Sequence, residues 1–534
     1  MTQTRRPLVQ STVLLVGSNL LLQALGFAYR VFLGRVGGAG AMGLFHLVMP
    51  AYAVIMSLTF SGITTAVTGL TSRHLAMGRT EDNARLVRLA LGLFFLAFAV
   101  VALPVALGSE WLASTVLGDS RTRVALLIML PCLLLTGVEN IFKGHFYGVD
   151  NVRLPVVSDQ MEQIVRIGTV LALFLLVPAR TAGGATALIL LGMTVSELFS
   201  SSFLALRYRR ARAKEPPQTR EVTPGLTLLK RTLAVALPVA GGSLLNNLLA
   251  SANTLLLPGR LQAAGLNQGE AVASLGVVLG MATPLLLLPM AFVGPIATIL
   301  LPQFAQDSAL KDHAGIARRL GKALHAVGLL GLPTLAILVP LGPLLMELLY
   351  HQTVTEHTLL LLAGDAALLF YQLITASAMN GLDMQGRVLG HVVAGGLLQL
   401  AFTWFATAQL GMDGFLWGQI ASALLIVGLN LRALARRTNL QVRWAEWFVL
   451  TALGALVLGL TVRLIHGALL GWLAEGPAVG LSLGAGAGVY LVVLRLMGIH
   501  PWAMLRGILP AKWKAGRQRA AALSPSPAVR SGGQ

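Results

Sequence analysis

The feature that most limits this chain is a succession of about fourteen continuous apolar runs. They lie near 9–33, 44–70, 88–108, 122–148, 155–178, 183–206, 231–257, 272–300, 322–349, 358–380, 387–409, 412–431, 445–468 and 478–498. A bilayer core about 30 Å thick is crossed by about 20 helical residues, so each run is long enough to span one. The runs show none of the alternation of barrel strands, and a helix satisfies its own backbone in lipid. They predict an all-α polytopic membrane protein of about fourteen transmembrane helices. At about 24 residues each, the runs take about 336 positions of the 534 in the chain. Short loops use most of the rest. No separate soluble module for catalysis or ATP hydrolysis is expected, and any function falls to the helices.

Basic residues outnumber acidic ones 40 to 21, a formal net charge of +19. In a soluble protein that excess would suggest nucleic acid. Here, with the N-terminus placed inside, about 32 of the basic residues fall on cytoplasmic segments, as the positive-inside rule requires. The expectation is a multi-pass plasma-membrane protein with both termini cytoplasmic. Anionic lipid headgroups satisfy the basic stretch at 512–519 as well as nucleic acid would, so membrane lipids are the expected partner and nucleic acid is not. The first run is about 25 residues long, contains Arg30 and lacks a small-residue cleavage pattern, so it reads as a helix rather than a signal peptide. The single cysteine, Cys132, lies inside an apolar run and reads as a small buried side chain.

An internal repeat organises the runs. Gly34-Arg35-Val36-Gly37-Gly38-Ala39-Gly40 returns as Gly259-Arg260-Leu261-Gln262-Ala263-Ala264-Gly265, about 225 residues later. Gly62-Ile63-Thr64-Thr65-Ala66 pairs with Gly294-Pro295-Ile296-Ala297-Thr298, and Gly148-Val149-Asp150 with Gly381-Leu382-Asp383, at about 232–233. Six helices per copy is an even number, so both copies enter the membrane from the same side and the repeat is parallel. The predicted organisation is two pseudo-symmetric six-helix lobes around a central cavity, 1–206 and 231–432, joined by a basic linker at 207–230. Two further helices follow within 444–498, and then a basic tail at 499–534.

A charge at the centre of a helical span costs roughly 2.5–3.5 kcal/mol on insertion scales, so each one needs a cavity, a partner or an interface. Arg30 lies deep in the first run with no acidic residue within one turn, and Arg35 follows it. Glu139, Lys143 and His145 lie late in the fourth, Glu162 and Arg166 are spaced i, i+4 in the fifth, and Glu197 is in the sixth. Pairs at that spacing read equally as intrahelical salt bridges or as cavity groups. The second half is sparser: Asn246, Asn247 and Asn253 in the seventh run, Asp365, Tyr371 and Gln372 in the tenth, Gln399 in the eleventh. A guanidinium matches phosphate by paired hydrogen bonds, which makes Arg30 the leading candidate for an anionic ligand. Prolines at 284, 289 and 295, and at 333, 340 and 343, predict kinks in helices eight and nine.

The run Gly26-Phe27-Ala28-Tyr29-Arg30, followed by Gly34-Arg35, Gly37, Gly40, Gly43-Leu44-Phe45, Pro50 and Tyr52, resembles the stage V sporulation protein B-like polysaccharide exporters. These belong to the multidrug/oligosaccharidyl-lipid/polysaccharide flippase superfamily. The resemblance continues through Lys143-Gly144-His145-Phe146-Tyr147-Gly148, Ser158-Asp159-Gln160-Met161-Glu162-Gln163-Ile164-Val165-Arg166 and Pro258-Gly259-Arg260-Leu261-Gln262-Ala263-Ala264-Gly265-Leu266. It implies fourteen helices in two lobes and a non-enzymatic role in flipping undecaprenyl-pyrophosphate-linked sugars such as lipid II, including in spore cortex synthesis. It also implies that the last two helices line a groove for the lipid tail. Lipid II flippases of the Gram-negative type carry their arginine one position earlier, where this chain has Tyr29. Relatives of the sporulation type often have an acidic residue where this chain has Asn253, so no cation site is carried over to helix seven.

The expectation is thus alternating access. Arg30 and Arg35 would bind pyrophosphate, Arg166 and Lys143 would add to a cationic cavity, and Glu139, Glu162 and Asp365 would contact sugars or gate the lobes. No metal or other cofactor is expected, and no phosphate-binding loop for ATP is present. Other envelope-synthesis proteins are the remaining candidate partners. Two rival readings stand beside it: a cation-coupled multidrug exporter of the same superfamily, and a membrane glycosyltransferase or polymerase. The last would need paired carboxylates on an outer loop, where the sequence offers only scattered Glu110, Asp119, Glu270, Glu356, Asp413 and Glu475.

Overall fold

The computed structural model describes residues 8–178, 180–213, 223–438, 445–469, 472 and 475–496, and no strand occurs among them. Fourteen helical spans follow one another. They are α1 (8–37), α2 (39–76), α3 (Thr80–Leu107), α4 (Arg123–Gly148), α5 (Arg153–Leu176), α6 (Ala182–Arg212) and α7 (Gly225–Ala263). Then come α8 (268–309), α9 (His313–Tyr350), α10 (Glu356–Gly381), α11 (Gln385–Leu410), α12 (Met412–Thr438), α13 (445–469) and α14 (Glu475–Leu496). By length and composition, twelve intervals among the described residues are able to cross a membrane. The first of these, Gln23–Ala76, contains the later part of α1 and all of α2, and α5 with its Asp159, Glu162 and Arg166 is not among them. Those two adjustments recover fourteen. The basic tail and residues 214–222 of the linker lie outside the described residues.

One expected loop is absent. Between the first two apolar runs the chain stays helical and breaks only at Gly38, where φ is 72° and ψ 176°. A side chain would be strained there, so one glycine replaces a ten-residue connection. The expected interruption of helix eight is present: α8 widens to a π-helix over Gly276–Ala282 and breaks between Leu286 and Met290, beside Pro284 and Pro289. Helix α9 remains continuous through its three prolines.

The backbone carries the repeat in register. Left-handed residues at Gly78 and Lys311, Gly118 and His351, and Asp150 and Asp383 form three pairs, each 233 residues apart. The pairs make the same turns: the N–H of Asp150 bonds the Tyr147 carbonyl as that of Asp383 bonds Asn380, and Gly78 and Lys311 bond Leu75 and Ser308 alike. Packing follows the same spacing. Gly148 of α4 lies on Thr71 of α2, and Gly381 of α10 lies on Phe304 of α8.

Two apolar cores result. One gathers Phe60, Phe94, Met129 and Phe146 from the first half. The other gathers Val272, Phe304, Phe370 and Leu434 from the second half, and also takes in Tyr29, Leu33, Met42 and Leu47 from α1 and α2. The first two helices therefore reach across to the second half. Along the α2–α7 seam, Ser57 Oγ is 3.1 Å from Ser243 Oγ, Asn247 Nδ2 donates to Ser57 Oγ (2.6 Å) and to the Ala53 carbonyl (3.2 Å), and Ser251 Oγ donates to the Pro50 carbonyl (3.3 Å). Farther along, Gly62 sits directly against the Ala236 carbonyl. Helices α13 and α14 pack on one another and against α9, with Tyr490 Oη donating to the Leu329 carbonyl (3.4 Å). Arg463 of α13 pairs with Glu356 at 2.9 Å.

Candidate functional site

The tight turn at 149–152 folds α4 and α5 into a hairpin, and α6 packs against both. That geometry assembles an ionic cluster inside the first half. Lys143 Nζ lies 2.8 Å from Glu139 Oε1, 2.6 Å from Asp159 Oδ1 and 3.9 Å from Glu162 Oε2. Arg166 pairs with Glu162, reaches Glu197 Oε1 at 3.5 Å and donates through Nε to Ser196 Oγ at 3.2 Å. Ser158 Oγ and Ser200 Oγ are 2.6 Å apart, and both donate to Glu139. Glu139 is fully buried and Glu197 is 4% exposed. Such charges persist away from water only when partners offset most of their lost hydration.

The expected residues Glu139, Lys143, Glu162 and Arg166 are thus brought together, but not as a cationic surface. The cluster holds four carboxylates against two cations, and both cations are engaged. Carboxylate oxygens of Glu139, Asp159 and Glu162 lie within 4.8 Å of one another, the spacing of a metal site. The Lys143 ammonium already stands among them, so the donor set fits a tethered cation rather than a metal. Sequence reading left Asp159 and Glu197 out of the site. Asp159 was within reach: 143 and 159 are equidistant from residue 151 in the α4–α5 turn, so an antiparallel hairpin sets them opposite each other.

Arg30 is elsewhere. Gly26, Arg30 and Gly34 follow at i, i+4 and i+8, which puts them near one face of α1. Gly26 faces open space, Arg30 is exposed, and Gly34 lies beneath the Tyr350 ring. On α8, Gly294 also faces open space, whereas Gly62 of α2 is tightly packed on α7. Open space thus flanks α1 at Gly26, one turn before Arg30, and the same face is covered at Gly34, one turn after it. Arg30 is near enough to His46 and Tyr350 to act on both electrostatically, and it has no ion pair among the described residues. Arg35 is occupied: its Nε donates to the Leu349 carbonyl at 2.8 Å and its Nη2 to that of Leu348. Those are carbonyls of the last turn of α9, the negative end of its dipole.

Asp365 of α10 is buried, apart from both Arg30 and the cluster, with no hydrogen bond or ion pair among the described residues. Around α10, α11 and α12 the second half is knit by neutral groups, while Arg319 pairs with Asp307 (2.7 Å) between α9 and α8. Asn430 Nδ2 donates to Thr375 Oγ1 (3.1 Å), His391 Nδ1 lies 2.7 Å from Asn430 Oδ1, and Thr403 Oγ1 donates to Asn253 Oδ1 (3.0 Å). A groove of about 370 Å³ between α2, α3 and α7 is lined by Pro50, Ile55, Leu58, Val101, Leu248 and Leu255 among others. Its wall carries no charge, which excludes it as a phosphate site.

A family model described as polysaccharide biosynthesis protein matches residues 8–307, more than half of the chain. Stage V sporulation protein B of Bacillus subtilis (strain 168) is 22% identical over 509 residues, covering 92% of this chain and 96% of that protein. Sporulation protein YkvU of the same organism is 20% identical over 443 residues, covering 81% and 96%. Among solved structures, the lipid II flippase MurJ in an inward closed conformation is similar with a TM-score of 0.68 at 12% identity, over 91% of this chain and 98% of that one. A multidrug resistance MATE family transporter of the MOP superfamily, inward-facing, gives 0.60 at 14% identity, over 79% and 96%. Those two proteins are named as a flippase and a transporter. The chain belongs to the polysaccharide biosynthesis protein family, and its multi-pass helical fold is the one shared by these flippase and transporter structures.

Proposed function

We propose that the protein is an alternating-access flippase for an undecaprenyl-pyrophosphate-linked oligosaccharide, lipid II or a related envelope precursor, in the plasma membrane with both termini cytoplasmic. The observation that carries this reading is Arg30: an exposed guanidinium with no ion pair among the described residues, one turn from open space at Gly26 on the same face of α1. An amphiphile with a pyrophosphate needs a cation free to receive it, and Arg30 is one. The flippase and sporulation themes of the similar proteins support the same substrate class. Arg35 then acts as a closure between α1 and α9, and the α4–α6 cluster as a gating element rather than as a phosphate cradle.

Accessibility of lipid II to an externally added toxin, in cells whose other flippases are deleted, tests the proposal. Depletion of the protein is expected to abolish labelling. Arg30→Ala should weaken substrate binding about 10- to 100-fold, the worth of a charged hydrogen-bonding group, at unchanged expression. Full labelling after depletion would end the reading.

The carboxylate excess of the cluster favours one second reading, a cation-coupled exporter of organic cations. Dye efflux that survives Arg30→Ala and collapses with the ion gradient would select it.

A further inference from the structure

Within the ionic cluster, Glu197 is out of balance. Its Oε1 is 3.5 Å from Arg166, while its Oε2 is buried and no donor reaches it. The side chain it meets instead is another carboxyl, that of Glu139, which accepts from Ser200 one turn farther along the same helix as Glu197. A carboxylate accepts and does not donate, so a bond between two carboxyls requires a proton on one of them. Two like charges in contact away from water do not both ionise.

We propose that Glu139 and Glu197 form a carboxyl pair that binds a single proton between α4 and α6. The other charged or titratable groups that face it are Lys143 on α4, Glu162, Asp159 and Arg166 on α5, and at longer range Tyr29 on α1, Tyr52 on α2 and Cys132 on α4. With the proton bound, the cluster holds three carboxylates and two cations, and Arg166 is committed mainly to Glu162. When the proton leaves, Glu197 becomes a full partner for Arg166 and ties α5 to α6. The proton therefore sets how firmly Arg166 is held away from Tyr29 and α1, the helix that carries Arg30. The proposal rests on side-chain placement alone and stands whatever the transported molecule is.

Infrared spectroscopy of the purified full-length protein tests it through the carboxylic-acid C=O band, with Asp365→Asn as the parent so that the separate buried carboxyl of α10 is removed. The parent is expected to show a deuterium-sensitive band at neutral pH. Glu197→Gln and Glu139→Gln are each expected to abolish it, because either carboxyl alone falls to a neighbouring cation and ionises. Glu197→Asp, which keeps a carboxyl on a shorter stem, should shift the band rather than remove it. The amide bands of the same spectra report whether each variant is folded. A parent without the band, a band untouched by Glu197→Gln, or one lost in only one of the two glutamine variants would overturn the shared proton. None of these outcomes depends on flipping activity.

Discussion

Helices α4 and α10 occupy equivalent places in the two halves. Gly148 and Gly381 make the same contact, and Asp150 and Asp383 the same left-handed turn. Yet where α4 has Glu139 and Lys143, α10 has Gln372 and Ala376 at the same spacing of 233. One half closes its hairpin around six charged groups, and the other closes the same hairpin with an amide, a hydroxyl and an imidazole. The charges are therefore not what makes the fold. A buried ion pair is often no better for stability than neutral groups of similar volume, so the first half carries its cluster for a reason other than packing.

Three pairs of substitutions would break or sharpen that contrast. The largest effect is expected at Lys143→Ala, which strands Glu139 and Asp159 and should cost about 3–5 kcal/mol in detergent unfolding. Glu139→Gln combined with Lys143→Ala, which copies the second half, should recover most of the loss. If the double variant is no more stable than the single one, the halves do not share one packing solution. Next come Gly62→Ala and Gly294→Ala. A methyl on Gly62 would overlap the Ala236 carbonyl of α7, at about 1–3 kcal/mol. On Gly294 it meets nothing within 4 Å, and the change should be neutral or stabilising by up to about 1 kcal/mol. Equal thermal shifts would deny that the two seams differ.

The smallest effect concerns the paired Arg35 and Arg260. Arg35 bonds α9 across the halves, whereas Arg260 of α7 stacks on Trp404 of its own half, 3.3 Å from the ring centre. Each alanine variant should lose about 0.5–1.5 kcal/mol. Only Arg35→Ala should raise the labelling of a cysteine placed at Tyr350, and a rise in both variants would remove the distinction.

Much of this architecture was legible in the sequence because apolar runs without alternation have few readings in a bilayer. All fourteen spans correspond to those runs, and the repeated Gly-x-Asp turns were visible as residues before their backbone was known. The Gly38 break was not, because a chain that turns at one glycine leaves no polar stretch to mark it. The site was legible in part. Local i, i+4 spacing showed Glu139 with Lys143 and Glu162 with Arg166. It could not show that Asp159 and Glu197 join them and outnumber the cations, nor that Arg35 is bound to carbonyls 313 and 314 residues away. Those contacts belong to tertiary structure, where periodicity is silent.

The evenly spaced left-handed turns also bear on the history of the chain. From Gly78 to Asp150, and from Lys311 to Asp383, the two copies have kept the same length. Before that point they have not: Gly38 and Gly265 are 227 apart rather than 233, so the second copy is six residues longer between its first turn and its second. That stretch is α8, where the π-helical segment Gly276–Ala282 and the break before Met290 are found. An ancestral duplication that drifted elsewhere by substitution has changed length chiefly in the helix facing α1, and the irregular backbone of α8 is the form in which the extra residues were accommodated.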